Sequence, residues 1–188
     1  MVCDDVLAFH NDPLRRRAVF KEECREVRGE ADQSCRSELA AERWVRVMCD
    51  YGADGVWAKG GFAVHPADLP ISDDLAVRIL EWQYRHDNWR TLQDNAEHPV
   101  YIEDAPPDVL EPFAGEGFLI ALVVRRQLPD WTVVYRDERR RVPYERVGFT
   151  DEVRAHYRQW SQYEITDAVL ATGTPPDNHP GDYGAGIT

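Results

Sequence analysis

Apolar residues along this chain come in short runs separated by charged or Gly/Pro-containing stretches, and their spacing predicts the elements. Trp44-Val45-Arg46-Val47-Met48-Cys49 is apolar and rich in β-branched residues, so a buried strand is expected near 43–49. Asp50-Tyr51-Gly52 breaks it. Val56-Trp57-Ala58 and Phe62-Ala63-Val64 then flank Lys59-Gly60-Gly61, which predicts a hairpin over 56–64. Ser72 is placed to cap a helix, with Asp73 and Asp74 in the first turn, where the helix dipole favours negative charge. Leu75, Ile79, Trp82, His86 and Trp89 recur at steps of four and three, one apolar face of a helix near 72–91.

The run Phe118-Leu119-Ile120-Ala121-Leu122-Val123-Val124 suits either a central strand or a buried helix. Phe113, Ile120, Val124 and Leu128 extend it at helical spacing and favour a helix near 111–128. Trp131-Thr132-Val133-Val134-Tyr135 follows the Pro129-Asp130 turn and predicts a strand over 131–137. Thr150-Asp151-Glu152 begins a last helix, near 150–163, carrying Val153, Tyr157 and Trp160 on one face. Val100-Tyr101-Ile102 is a candidate short strand. Upstream, Asp12-Pro13 starts a charged helix with a thin apolar stripe, Leu14, Ala18, Cys24 and Val27, ending at Gly29. A second short helix is expected over Ser37–Glu42.

Strands and helices do not alternate regularly, so the expected class is α+β, a small sheet packed by helices. The expected organisation is a charged helical N-terminal extension over 1–42 and a single α+β domain over 43–171. A flexible Gly/Pro-rich tail follows over 172–188.

Charge narrows the choice of partners. The chain of 188 residues has a formal net charge of −12. Such a surface is repelled by phosphate backbones and by anionic membranes, so neither nucleic acid nor membrane is an expected partner, while a basic protein is. No run of apolar residues is long enough to span a bilayer. Lys21 and Lys59 are the only lysines among the 22 basic residues. Codon bias in a GC-rich genome is the simplest cause, but the arginine fork also pairs bidentately with carboxylates where lysine cannot. Cys3, Cys24, Cys35 and Cys49 form no C-x-x-C pair, and no secretory leader precedes them, so free thiols in a reducing cytoplasm are expected.

The charge is also unevenly spread. Between Arg90 and Arg125 there is no Lys or Arg, yet the interval holds Asp94, Glu97, Glu103, Asp104, Asp108, Glu111 and Glu116. The stretch from Arg125 to Arg158 reverses the balance and includes Arg139-Arg140-Arg141. One reading is a solvated acidic surface offset within the fold by those arginines. The other is an acidic docking face, since clustered charge of one sign speeds encounter and selects partners. A calcium loop would need oxygens at tight D-x-D-x-D-G spacing, which the segment lacks.

Catalytic and cofactor motifs are weak. Neither G-x-G-x-x-G, a P-loop, a G-x-S-x-G elbow nor H-E-x-x-H occurs, so no cofactor or metal is expected. Asp94, Glu97 and His98 fit a cation only if a helix formed there, against the nearby prolines. Cys49-Asp50 with His86-Asp87 offers a thiol, a base and an orienting carboxylate. Against that, Cys49 lies in an apolar strand and His86 on the apolar face of a helix, where both residue types commonly serve packing.

Arg46 through Gly52, Val56-Trp57, Asp68-Leu69-Pro70-Ile71-Ser72, then Leu75, Ile79, Trp82 and the strand ending Arg136-Asp137-Glu138 together resemble a group of small bacterial α+β proteins. The resemblance covers about residues 43–140. In size, acidity and make-up the chain is similar to immunity proteins, which neutralise toxins made by neighbouring cells. That resemblance implies a non-enzymatic protein-binding module of the immunity or inhibitor kind, presenting its acidic segment to a basic partner such as a toxin. A small enzyme using Cys49 or His86, and an accessory subunit of a larger assembly, are the alternative readings.

Overall fold

The computed structural model describes residues 12–30, 33–89, 102, 105–140 and 161–177. Its element order is α1 (Pro13–Glu30), α2 (Gln33–Glu42), β1 (Trp44–Val47), β2 (Val56–Trp57), β3 (Ala63–Val64), α3 (Asp73–Asp87), α4 (Pro107–Gln127), β4 (Thr132–Arg136), β5 (Gln162–Glu164) and α5 (Asp167–Thr172). Short 3₁₀ turns lie over Pro66–Asp68 and Glu138–Arg140. The class is α+β, as the sequence led one to expect.

The strands form one mixed sheet in the order β3-β2-β1-β4-β5. The hairpin pairs Val56 with Val64, and β1 pairs antiparallel with β2. β1 and β4 run parallel, with Val45 opposite Val133 and Val47 opposite Tyr135. A parallel pair needs a long crossover, and here α3 and α4 supply it. Alternation then sorts the strands into two faces. Val45, Val47, Val133, Tyr135 and Tyr163 point into the core, while Trp44, Arg46, Val134 and Arg136 are half-buried on the other face.

Helix α3 forms as its sequence signals. The Ser72 hydroxyl accepts from the Leu75 amide, and Leu75, Ile79, Trp82 and His86 are all buried. The ambiguous run 118–124 is helical and belongs to α4, which packs on β1 and β4. That helix begins at Pro107, earlier than the expected 111. Pro106 is the cap residue and Pro107 takes the first helical position, where a missing N–H costs nothing. Where α3 and α4 cross, Trp82 stacks on Phe113 with centroids 5.4 Å apart. Gly117 makes the approach possible: a Cβ there would press on the Trp82 ring and sit 2.9 Å from the Tyr135 hydroxyl.

Two expectations change at the C-terminal end. Gln162 and Tyr163, the last two residues of the helix expected over 150–163, belong instead to the edge strand Gln162–Glu164, paired antiparallel with β4, while Ser161 before them is helical. Pairing to a distant strand wins there over local helical spacing, and residues 150–160 lie outside the described residues. A further helix, α5, follows. Thr166 caps it, and Gly173 closes it in the left-handed conformation that suits glycine. The beginning of the expected tail is tied down, since Arg140 donates to the Pro176 carbonyl at 2.7 Å. Residues 178–188, residues 1–11 and the candidate strand residues 100 and 101 are outside the described set; Ile102 is buried.

Helices α1 and α2 dock on the domain through both ion pairs and apolar contacts, with Phe20, Val27 and Cys35 packed against the core. Arg17 reaches Glu81 and Asp74, Arg28 reaches Asp73, and Arg36 reaches Asp68. Asp73 and Asp74 are exposed, and pairs to such groups contribute only about 0–1 kcal/mol each. The apolar anchors are Cys24 and Leu39, both buried. Cys24, Cys35 and Cys49 are free thiols.

The crossing and the anchor each give a test. Gly117→Ala gains about 1 kcal/mol of helix propensity but overpacks the core at a cost of about 1–3 kcal/mol. Urea denaturation is therefore expected to show net destabilisation, whereas Gly115→Ala, with nothing within 4 Å of its new Cβ, should be neutral or stabilising. At Cys24, burial foremost, then Glu23 and Asp73, push the thiol from 9.0 up to about 11. The folded state therefore keeps the proton that the unfolded chain releases, so stability present below pH 9.0 is lost as pH rises towards about 11. Denaturation of Cys24→Ala, less stable at neutral pH from lost packing, should show a smaller further loss across that window than the parent protein.

Candidate functional site

The first half of α4 carries three of the seven predicted acids and is fixed by two donors from the core. Trp82 donates its indole N–H to the Phe113 carbonyl at 3.1 Å, and the Tyr135 hydroxyl donates to the Ala114 carbonyl at 2.6 Å. Both donors are fully buried. Burial, chiefly, raises the Tyr135 hydroxyl well above its ordinary value, so it stays protonated and able to donate. Pro112 lies inside the helix and cannot donate to the carbonyl one turn back. The two side-chain bonds thus hold the helix at the turn where its own ladder is interrupted.

Against this turn lies a cavity of about 220 Å³. Trp89, Ile102, Val109, Pro112 and Phe113 give it an apolar lining, and Arg85 and Glu116 stand at its edge. Glu116 accepts from Arg85 and lies 3.6 Å from Arg78. An apolar recess bordered by charge is the form that anchor pockets take at protein interfaces.

Of the predicted acids, Asp108, Glu111 and Glu116 are brought to one half of one helix. Asp108 is exposed in its first turn and makes no ion pair among the described residues. Glu111 is exposed yet pairs with Arg139 at 3.3 Å, and Glu116 is half-buried between two arginines. Two of the three are thus met by the chain's own guanidinium groups. Asp94, Glu97, Glu103 and Asp104 lie outside the described residues. Ile102, next in sequence to Glu103, lines the cavity.

The arginine run has a structural role that sequence reading only partly saw. Asp137, buried at 1% exposure, receives a fork from Arg139 (Nε to Oδ1 2.8 Å, Nη2 to Oδ2 2.7 Å). The Arg139 amide and the Tyr163 hydroxyl donate to the same carboxylate at 3.1 and 3.3 Å. Hydrogen bonding to Asp137 raises the Arg139 guanidinium's proton affinity further. Arg140 lies over the Tyr163 ring at 4.7 Å. This clamp joins the end of β4 to β5 and, through Arg139 and Glu111, to α4.

The alternative catalytic pair is placed differently. Cys49 is buried in the core cluster. His86 is buried with its Nδ1 3.1 Å from Asp87, under Tyr51 at 4.6 Å between centroids. Neither is among the residues lining the cavity. Among the described residues no three His, Cys, Asp or Glu side chains converge as a metal site requires, and no helix is long and apolar enough to cross a membrane.

Fold and site together describe a small α+β protein whose distinctive surface is a charged helix turn beside an apolar recess, the make-up of a binding module. Comparison with known families is consistent with this. Residues 43–138 match the family described as Serratia CdiI immunity protein-like, a little over half of the chain, and the chain belongs to that family. It is therefore an immunity-type protein with a protein-binding role. No curated protein and no solved structure matches it. The matched range runs from the residue before β1 to the clamp, and contains the whole acidic segment and every residue lining the cavity.

Removing Asp137 tests the clamp. Asp137→Ala takes the carboxylate from a half-buried guanidinium, which keeps Glu111, and from the buried Tyr163 phenol, and is expected to cost about 1–3 kcal/mol. Asp108→Ala, at an exposed position, should stay within about 0.5 kcal/mol of the parent protein. Guanidinium denaturation of both variants reads the contrast.

Proposed function

We propose that this protein neutralises a toxin by occlusion, seating a basic surface of the toxin on the acidic segment formed by Asp94, Glu97, Glu103, Asp104, Asp108, Glu111 and Glu116. The observation that carries the reading is the family match, whose range contains that segment and the recess beside it. Charge complementarity steers encounter and sets register, while an apolar side chain of the toxin entering the recess lined by Trp89, Val109 and Phe113 supplies the desolvated anchor. Carboxylates of this kind stand in for the anionic groups that a nuclease-like toxin would bind. Glu111 and Glu116 already pair within the chain, so a toxin arginine there must exchange with Arg139 or Arg85. Asp108 makes no such pair among the described residues. The working compartment proposed is the cytoplasm.

The test is reversal of charge. In cells producing the toxin that the wild-type chain neutralises, Asp104→Lys, Asp108→Lys and Glu111→Lys combined should abolish protection. The purified variant should keep its circular dichroism and most of its melting temperature. Full protection by a variant that is folded would remove the acidic segment from the mechanism.

A further inference from the structure

The face of the sheet turned away from α4 carries a feature that the acidic segment does not account for. Arg46 on β1 lies opposite Val134 on β4, and Arg136 follows two residues later on the same face. The two backbone positions are one diagonal step apart, about 7–8 Å. Both side chains are half-buried. Elsewhere the half-buried arginines Arg28, Arg36, Arg85 and Arg139 each meet a carboxylate. Arg46 and Arg136 meet none among the described residues, in a chain whose acids outnumber its bases 34 to 22.

What they do meet is neutral. Arg46 lies 5.4 Å from the centre of the Trp44 ring, and Arg136 approaches the Met48 sulfur at 3.2 Å. Trp57 stands directly across from Arg46 on β2, its indole N–H donated to the Met48 carbonyl. The Arg46 Nε is buried and has no hydrogen-bond partner among the described residues. Burial first, and the charge of Arg136 second, weaken the hold of Arg46 on its proton. Two half-buried guanidiniums side by side, with a buried donor unused and with Glu164, across from Val134 on the same face, ion-paired to neither among the described residues, make a costly arrangement for the fold alone. It is the arrangement that an incoming anion would relieve.

We propose that Arg46 and Arg136 form a carboxylate-binding site, which receives an aspartate or glutamate side chain of the protein partner. The planar forks suit a carboxylate, with charge-assisted bonds strengthened by the surrounding indoles. A polyanion such as nucleic acid is strongly repelled by the net charge of −12, whereas a single carboxylate carried on a protein that is basic overall is not kept away. The assignment of the carboxylate to the toxin rests on the function proposed above. The site itself does not. The partner would then be read by two opposite charge tests, basic against the acidic segment and acidic against this face, and a merely basic protein would fail the second.

Acetate, titrated into isotope-labelled wild-type protein, probes the site without the toxin. The Nε–Hε signals of Arg46 and Arg136 should shift saturably, and more tightly than with chloride or phosphate. A shift shared by all surface arginines, or tighter binding of phosphate, overturns the carboxylate assignment. Arg46→Met should raise the melting temperature by about 2–4 °C, because it removes a buried like charge. A fall would make Arg46 a structural residue and sink the proposal. Arg46→Met with Arg136→Met should lower affinity for the toxin at least tenfold. If acetate binds but toxin affinity is unchanged, the partner assignment is overturned. If the wild-type chain protects against no toxin while acetate still binds, the failure lies with the proposed function, and the site stands.

Discussion

The placing of the first half of α4 depends on two buried hydrogen bonds to one of its turns. Trp82 and Tyr135, from a neighbouring helix and from the sheet, donate to the successive carbonyls of Phe113 and Ala114. The bonds need Gly117, whose missing side chain leaves room for the indole and the phenol. They also act where Pro112 interrupts the helix's own ladder. They help to fix the first half of α4, which bears Asp108, Glu111 and Glu116 and walls the recess with Phe113, on a core that Phe113 and Phe118 of the same helix also enter.

A second layer of charge is built on that frame. Asp137 is buried because Arg139, Tyr163 and a backbone amide satisfy it together, and removing one partner from such a group costs more than the group's net contribution. Arg139 then spends a remaining donor on Glu111. The same arginine thus serves the fold and tempers the acidic surface. Of the two sequence-based meanings of the charge map, the offsetting one is seen here, since arginines of the chain meet Glu111 and Glu116; the docking face is the one proposed. Membership of an immunity-type family makes protein recognition the proper context for that surface.

Local signals were readable wherever an element was decided locally. Ser72, Asp73 and Asp74 with the stripe from Leu75 to Trp89 announce α3, and every residue of that stripe is buried. The Gly-Gly hairpin and the strand at 132–136 follow for the same reason. Gln162–Glu164 was not readable, because a three-residue edge strand is defined by its pairing with β4 rather than by its own pattern. The parallel pairing of β1 and β4 is equally invisible in either strand alone. The docking of α1 and α2 was hidden by their thin apolar stripe, since arginine–carboxylate pairs and the buried Cys24 and Leu39 do much of that contact. At the site, the acids stood out as a run without bases. The recess did not, because Trp89, Ile102 and Phe113 come from separate segments. Arg46 and Arg136 read as interruptions in apolar strands, and only the sheet register places them side by side.

The central claim is that a toxin is held by carboxylates arrayed along and before the first turns of α4. Affinity of the toxin for the Asp104→Lys, Asp108→Lys, Glu111→Lys protein, measured by calorimetry across a range of salt concentrations, tests it most directly. The account predicts wild-type binding that weakens steeply with salt, and a folded variant that does not bind at low salt. Wild-type binding indifferent to salt, with the variant binding equally well, would contradict it.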